Sequence, residues 1–136
     1  MKKVMAFGTF DILHPGHLNY LRQAKVLGDY LIVVVARDYN AERIKHKKPK
    51  NNEKKRLEAV KKLDFVDEAV LGDREMRKWS TIQKHRPQII ALGYDQWTSE
   101  VSLSQGLSEL GLHPLIKRMK PYKPETFKTS KILGEK

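Results

Sequence analysis

Two histidines, His14 and His17, bracket a Pro15-Gly16 step, and the segment Gly8-Thr9-Phe10-Asp11-Ile12-Leu13 leads directly into them. The apolar run ahead of this segment, Val4–Phe7, reads as a strand, and Leu18–Leu27 behind it reads as a helix. Both imidazoles therefore stand at a helix mouth just beyond a strand end. A helix N-terminus carries unpaired backbone N–H groups and a partial positive charge, which suit a phosphate. Imidazole donors strengthen as charge builds on a reacting phosphoryl group. Gly8 at the strand end would let a phosphate approach the backbone. Histidines at this spacing also occur in metal sites, but no carboxylate lies beside them at ligand spacing, so no metal ligands are assigned.

The rest of the chain supplies the frame for this pair. Tyr30–Ala36 is a continuous β-branched run of the kind buried on both faces of a sheet. Asn52 is an N-cap for a helix over Glu53–Leu63, with Leu57, Val60 and Leu63 on one face. A short strand over Glu68–Leu71 ends at Gly72, a helix over Arg74–His85 is stopped by Pro87, and Gln88–Leu92 forms a strand ending at Gly93. Ser102–Leu110 reads as a helix closed by Gly111, and His113–Lys117 as a last strand. Beyond it, Lys117–Lys128 reads as a loop or lid, and Thr129–Leu133 as a terminal helix. Strands separated by helices predict an α/β fold, with a five-stranded parallel sheet and helices on both faces in one domain over residues 1–136. Ligands of such sheets bind beyond the carboxyl ends of the strands, where strand order reverses. The segment from Gly8, Arg37-Asp38, Gly93-Tyr94-Asp95 and Arg118 all follow strands in this way.

Composition narrows the class. The 136 residues are 40% apolar and 32% charged, enough for one core. No apolar run approaches a membrane span, and the start lacks the pattern of a signal peptide, so a cytoplasmic protein is expected with no membrane partner. Cysteine is absent, which excludes disulfides, thiolate zinc sites and a cysteine nucleophile. The net charge of +11 suggests a polyanionic partner. Between Arg43 and Lys62 ten Lys or Arg residues face only Glu53 and Glu58. That tract reads as a solvated face, as a rim drawing in a nucleoside triphosphate, or as a nucleic-acid patch. With Tyr39 the sole aromatic nearby, a stacking platform is missing and no nucleic-acid partner is expected.

The segments Gly8-Thr9-Phe10-Asp11 and His14-Pro15-Gly16-His17 resemble the signature of the cytidylyltransferase-like nucleotidyltransferase superfamily. The likeness extends over nearly the whole chain, including Gly28-Asp29 and Val66-Asp67-Glu68. It implies a Rossmann-like nucleotidyltransferase domain that moves a nucleotidyl group from a triphosphate to a phosphorylated acceptor and releases pyrophosphate. In that reading His14 and His17 contact the α- and β-phosphate oxygens, and Lys45 or a near neighbour holds the triphosphate or the acceptor phosphate as a mobile point charge. Arg118 makes a bidentate phosphate contact, and Mg²⁺ is bound mainly through the triphosphate.

Within the superfamily, Val35-Ala36-Arg37-Asp38, Leu92-Gly93-Tyr94-Asp95-Gln96, and Arg118-Met119-Lys120 with Tyr122 are similar to the archaeal-type FAD synthases. That similarity implies ATP and FMN as substrates, with AMP transferred to FMN to give FAD and pyrophosphate. It implies ATP contacts from Gly8, Thr9, Phe10, His14, Pro15, Gly16, His17, Gly93, Asp95 and Tyr122. Thr129 or Ser130 caps the terminal helix and touches a phosphate. Asp95 also reads as a turn-former and Tyr122 as a packing residue of the lid. Trp79, Trp97 and Tyr94 are candidates for the flavin pocket or for ordinary packing. The glycerol-phosphate cytidylyltransferases carry a compact Arg-Thr-x-Gly-Ile-Ser-Thr-Thr segment, whereas here a longer loop separates Arg118 from Lys128-Thr129-Ser130. The alternative is a cytidylyl- or adenylyltransferase acting on glycerol 3-phosphate or another small phosphorylated polyol or sugar. The family often forms homodimers, which the residues leave open.

Overall fold

Strand β1 (Lys3–Gly8) is mostly apolar because it lies at the centre of the sheet, between β2 (Tyr30–Val35) and β4 (Ile89–Leu92). A computed structural model describes residues 1–45, 49–73, 79–94, 96 and 99–121, the side chains of residues 43–45 excepted. β3 (Glu68–Leu71) and β5 (Leu115–Arg118) form the two edges, giving the order β3-β2-β1-β4-β5. Every pairing is parallel. The order reverses between β1 and β4, so the switch point lies at the ends of those two strands.

Alternation along the central strands divides the core in two. Val4, Ala6, Leu31, Val33, Val35, Ile89 and Ala91 face α1 (Pro15–Val26) and α3 (Glu53–Lys61), which contribute Leu21, Ala24 and Val60. Met5, Ile32, Val34, Ile90 and Leu92 face α4 (Ser80–His85) and α5 (Glu100–Glu109), which contribute Ile82, Leu103 and Leu107. Right-handed crossovers require this split, because β2 and β3 lie to one side of β1 while β4 and β5 lie to the other.

The helix boundaries shift from those expected. α1 starts at Pro15, three residues before Leu18, with His14 as its N-cap. Asn52 caps α3 by accepting from Lys55 N at 2.8 Å, as the spacing predicts. A helix not expected from the sequence, α2 (Asp38–Lys45), follows β2. α4 begins at Ser80, behind Trp79 at φ 52°; residues 74–78 of the expected helix lie outside the described residues, as do the terminal helix over Thr129–Leu133 and most of the expected lid. Gly28-Asp29 and Asp67 clamp the amino ends of the strands, away from the switch point. A Cβ at Gly28 would sit 2.6 Å from the Lys2 carbonyl oxygen. Lys2 N donates to Asp29 Oδ2 at 2.9 Å, and Asp67 Oδ2 accepts from Leu31 N at 2.8 Å and Lys25 Nζ at 2.6 Å. Among the described residues no helix is long and apolar enough to cross a membrane.

Candidate active site

The histidine pair is built into the first turn of α1 as a reciprocal cap. His14 Nδ1 accepts from Gly16 N at 3.0 Å, and His17 Nδ1 accepts from His14 N at 3.4 Å. An Nδ1 that accepts carries no proton, so in the neutral ring Nε2 bears the hydrogen. Both histidines are thereby fixed in the same tautomer, each with an Nε2–H donor. The rings stack at 3.8 Å between centroids, tilted by 23°, and Phe10 meets His17 edge-on at 5.4 Å. Pro15 forgoes a backbone N–H that the first turn does not use. Gly16 is required by the cap itself, since a Cβ there would lie 2.9 Å from the His14 ring.

Gly8, expected to let a phosphate approach the backbone, also accommodates a side chain. A Cβ at Gly8 would stand 2.5 Å from Phe10 Cζ, so the space over this glycine is filled by the phenyl ring. Phe10 reaches that position through a backbone at φ 54° and is 3% exposed. The loop is also held from outside. Arg56, at 1% exposed, donates from Nη1 to the carbonyls of Thr9 and Ala36, each at 2.8 Å. Its Nε bonds Asn51 O at 3.0 Å and its Nη2 pairs with Asp38 Oδ1 at 2.6 Å. Asp11 accepts from Lys50 N and Asn51 N at 2.8 and 2.9 Å. Burial pushes its carboxyl up, but those two N–H groups with the nearby Arg56 hold it below the ordinary value.

At the switch point the strands part behind two side chains. Direct pairing of β1 with β4 ends at Ala6 and Ala91, while β1 stays paired with β2 as far as Gly8 and Val35. Tyr20, on α1, accepts from Phe7 N at 3.1 Å and donates to Ala91 O at 2.6 Å. Burial raises its hydroxyl far above the ordinary phenol range, so it remains protonated. The Gln96 amide donates from Nε2 to Phe7 O at 2.5 Å and accepts at Oε1 from Gly93 N at 2.9 Å.

Arg118, expected to contact a phosphate, reaches the edge of this site, where its guanidinium has protein partners. Nε and Nη2 bond the two Glu100 oxygens at 3.3 and 2.9 Å, and Nη1 bonds Gly93 O at 2.7 Å and Gln96 O at 3.4 Å. The pairing with Arg118 holds the Glu100 carboxyl below its ordinary value. Arg118 thus fastens the loop after β4 to α5. Lys45 closes α2, and its side chain lies outside the description; Asp95, Trp97, Tyr122, Thr129 and Ser130 lie outside the described residues altogether. Trp79 is half-buried, packed against the second cluster with its indole over Gly106 of α5.

The basic tract is less uniform than its composition. Lys50, Lys54, Lys55, Lys61 and Lys62 are exposed, whereas Arg56 is buried. Glu53 caps α2 by accepting from Asp38 N at 2.8 Å. Sequence reasoning missed Arg56, Tyr20 and Gln96. Arg56 could have been found from its spacing, since it precedes Val60 by one helical turn on the inward face. Tyr20 and Gln96 had no such signal, because their partners are backbone atoms of other strands.

Comparison with known proteins places this geometry in a family. The description of cytidylyltransferase-like proteins matches residues 5–134. An FAD synthase of Ferroglobus placidus is 49% identical over 121 residues, covering 88% of this chain and 77% of that protein. An FAD synthase of Methanothrix thermoacetophila is 45% identical, covering 100% of this chain and 93% of that one. The crystal structure of a protein from Thermoplasma volcanium, described as a lipopolysaccharide core biosynthesis protein, superposes with a TM-score of 0.86 at 44% identity, over 90% of this chain and 99% of that chain. A pantoate-beta-alanine ligase from Francisella tularensis, 12% identical, shares the fold with a TM-score of 0.61 over 97% of this chain and 67% of its own. The chain belongs to the cytidylyltransferase-like family, and within it to the FAD synthases.

Proposed function

We propose that the protein transfers the adenylyl group of ATP to FMN, giving FAD and pyrophosphate. The observation that carries this reading is the 43–49% identity to FAD synthases over most of the chain. An oxygen of the FMN phosphate attacks the α-phosphorus in line, the bond to the β-phosphate oxygen breaks, and pyrophosphate leaves with the electron pair. No covalent enzyme intermediate is required, so the protein's part is positioning and charge stabilisation. The Nε2–H groups of His14 and His17 donate to the α- and β-phosphate oxygens as negative charge develops, and the first turn of α1 adds its dipole. Lys45 extends this set from the end of α2. The whole of residues 1–136 acts as one nucleotidyltransferase domain, in the cytoplasm where ATP and FMN are at hand.

Among the described residues no three His, Asp or Glu side chains gather as metal ligands, and the Asp11 carboxylate is taken up by backbone N–H groups. Mg²⁺ therefore fits this site as a companion of the triphosphate, where it would neutralise charge on the phosphate oxygens. The test is product analysis by mass spectrometry with ATP or CTP, with FMN or glycerol 3-phosphate, and with or without EDTA. FAD should form from ATP and FMN alone, and chelation should abolish it. Turnover of CTP with glycerol 3-phosphate, without FAD formation, would establish the alternative acceptor.

A further inference from the structure

The parting of β1 from β4 is made by insertion rather than by fraying. Continued in register beyond Ala6 and Ala91, the parallel ladder would join Phe7 N–H to the Ala91 carbonyl, and Gly93 N–H to the Phe7 carbonyl. Both pairs of atoms are still connected, each through one side chain. The Tyr20 hydroxyl stands in the first link, with contacts of 3.1 and 2.6 Å. The Gln96 amide stands in the second, with contacts of 2.9 and 2.5 Å. A hydroxyl inserts one heavy atom and an amide inserts three, so the gap widens toward the ligand end of the sheet. The two segments that leave this gap are Gly8–His14, which leads into the histidine turn, and the chain after β4, of which Gly93, Tyr94 and Gln96 are described.

The geometry points to Tyr20 and Gln96 as positioning residues that set the separation of these two segments, and with it the alignment of ATP for attack. This assignment rests on the adenylyltransferase reading of the site. Neither side chain is asked to touch substrate. Each replaces a ladder bond with a longer spacer that bonds both backbone groups it separates, so the wedge keeps its shape without leaving those groups unpaired.

The chemistry of the second spacer supplies a test specific to it. An amide donates to Phe7 O and accepts from Gly93 N at once. A protonated carboxylic acid can do both, whereas a carboxylate can only accept. Gln96→Glu should therefore lose function at neutral pH and regain it as the pH falls. The charged groups that face this position are Arg118 from β5, whose Nη1 lies 3.4 Å from Gln96 O, and Glu100 from α5 through Arg118, while the Tyr20 hydroxyl of α1 holds the neighbouring link at Phe7 N and Ala91 O. Arg118 favours the carboxylate, so recovery should appear only toward pH 5. Because the reaction itself can vary with pH, each measurement is divided by the wild-type value at the same pH.

The experiment compares wild type, Gln96→Glu, Gln96→Ala and Tyr20→Phe at a temperature where circular dichroism shows each folded. Its readouts are the dissociation constant of a non-hydrolysable ATP analogue, by calorimetry, and kcat and KM for FAD formation. Gln96→Ala and Tyr20→Phe should lose about 10- to 100-fold in kcat, the scale of a misplaced reacting group, with nucleotide binding weakened less. The ratio of Gln96→Glu to wild type should rise at least fivefold between pH 7.5 and pH 5. Folded variants with wild-type kcat, or a ratio flat with pH, would overturn the positioning role. Should wild type bind the analogue but form no FAD, the acceptor assignment fails by itself, and the Gln96→Glu affinity ratio across pH still decides the wedge.

Discussion

Replacing His14 by asparagine and by alanine separates two duties that one ring performs. Nδ1 closes the first turn of α1 by accepting from Gly16 N at 3.0 Å, while Nε2–H is the donor assigned to phosphate. His14→Ala removes both. Loss of a side-chain cap costs about 1 kcal/mol, and loss of the ring stacked at 3.8 Å on His17 removes roughly another 0.5 kcal/mol. For a protein of this size the melting midpoint should fall by about 4–6 °C. Asparagine is among the best N-caps, and its side-chain oxygen can take the Gly16 N–H. His14→Asn should thus melt within about 2 °C of wild type. Its turnover should nevertheless fall by about 100- to 1000-fold, the effect of losing one transition-state donor. Differential scanning fluorimetry and an FAD-formation assay by chromatography on the same preparations give both numbers. A His14→Asn variant with wild-type kcat would refute the donor role, and a His14→Ala variant with an unchanged midpoint would refute the cap.

Gly8→Ala forces the Phe10 ring from a position 2.5 Å from the new Cβ, and should destabilise the fold by about 1–3 kcal/mol in urea denaturation. The same change should cost markedly less in a Phe10→Ala background, and equal costs in the two backgrounds would show that the ring is not what Gly8 accommodates. In acid, Asp67 provides a second handle. The Lys25 ammonium first, then the Leu31 N–H, hold its carboxyl below 3.8, so its contribution is complete above that ordinary value and disappears as the pH falls through the lowered one. The urea midpoint should decline below about pH 4, and Asp67→Asn should flatten that decline; an unchanged slope would remove Asp67 from the acid response.

The sheet, its parallel sense and the position of the histidine pair were legible because they rest on local signals. β-branched runs, glycines at strand ends and the Pro15-Gly16 step each act within a few residues. The start of α1 was less so, since histidine is not among the usual capping residues and periodicity begins only at Leu18. α2 spans only eight residues, too few for an apolar stripe to register in a sequence window; among those whose side chains are described, Asn40 and Ala41 are buried. The role of Arg118 depends on Glu100, eighteen positions earlier on another element. The bracing contact of this arginine has no local signal in the sequence until that neighbour is known. Arg56 was concealed by company, as one cation among ten in a tract whose other described members, Lys50, Lys54, Lys55, Lys61 and Lys62, face water.

A backbone ladder has one spacing, close to 4.8 Å, and no substitution alters it. Where β1 and β4 meet at the ligand end, that fixed quantity has been handed to two side chains. Crevice width there is therefore a property that point mutation can reset, by exchanging one spacer for a shorter or longer one, while the strands below remain paired through Ala6 and Ala91. Related proteins could in this way fit acceptors of different bulk against an unchanged histidine turn, with the sheet acting as a fixed vice and the residues at positions 20 and 96 as its interchangeable shims.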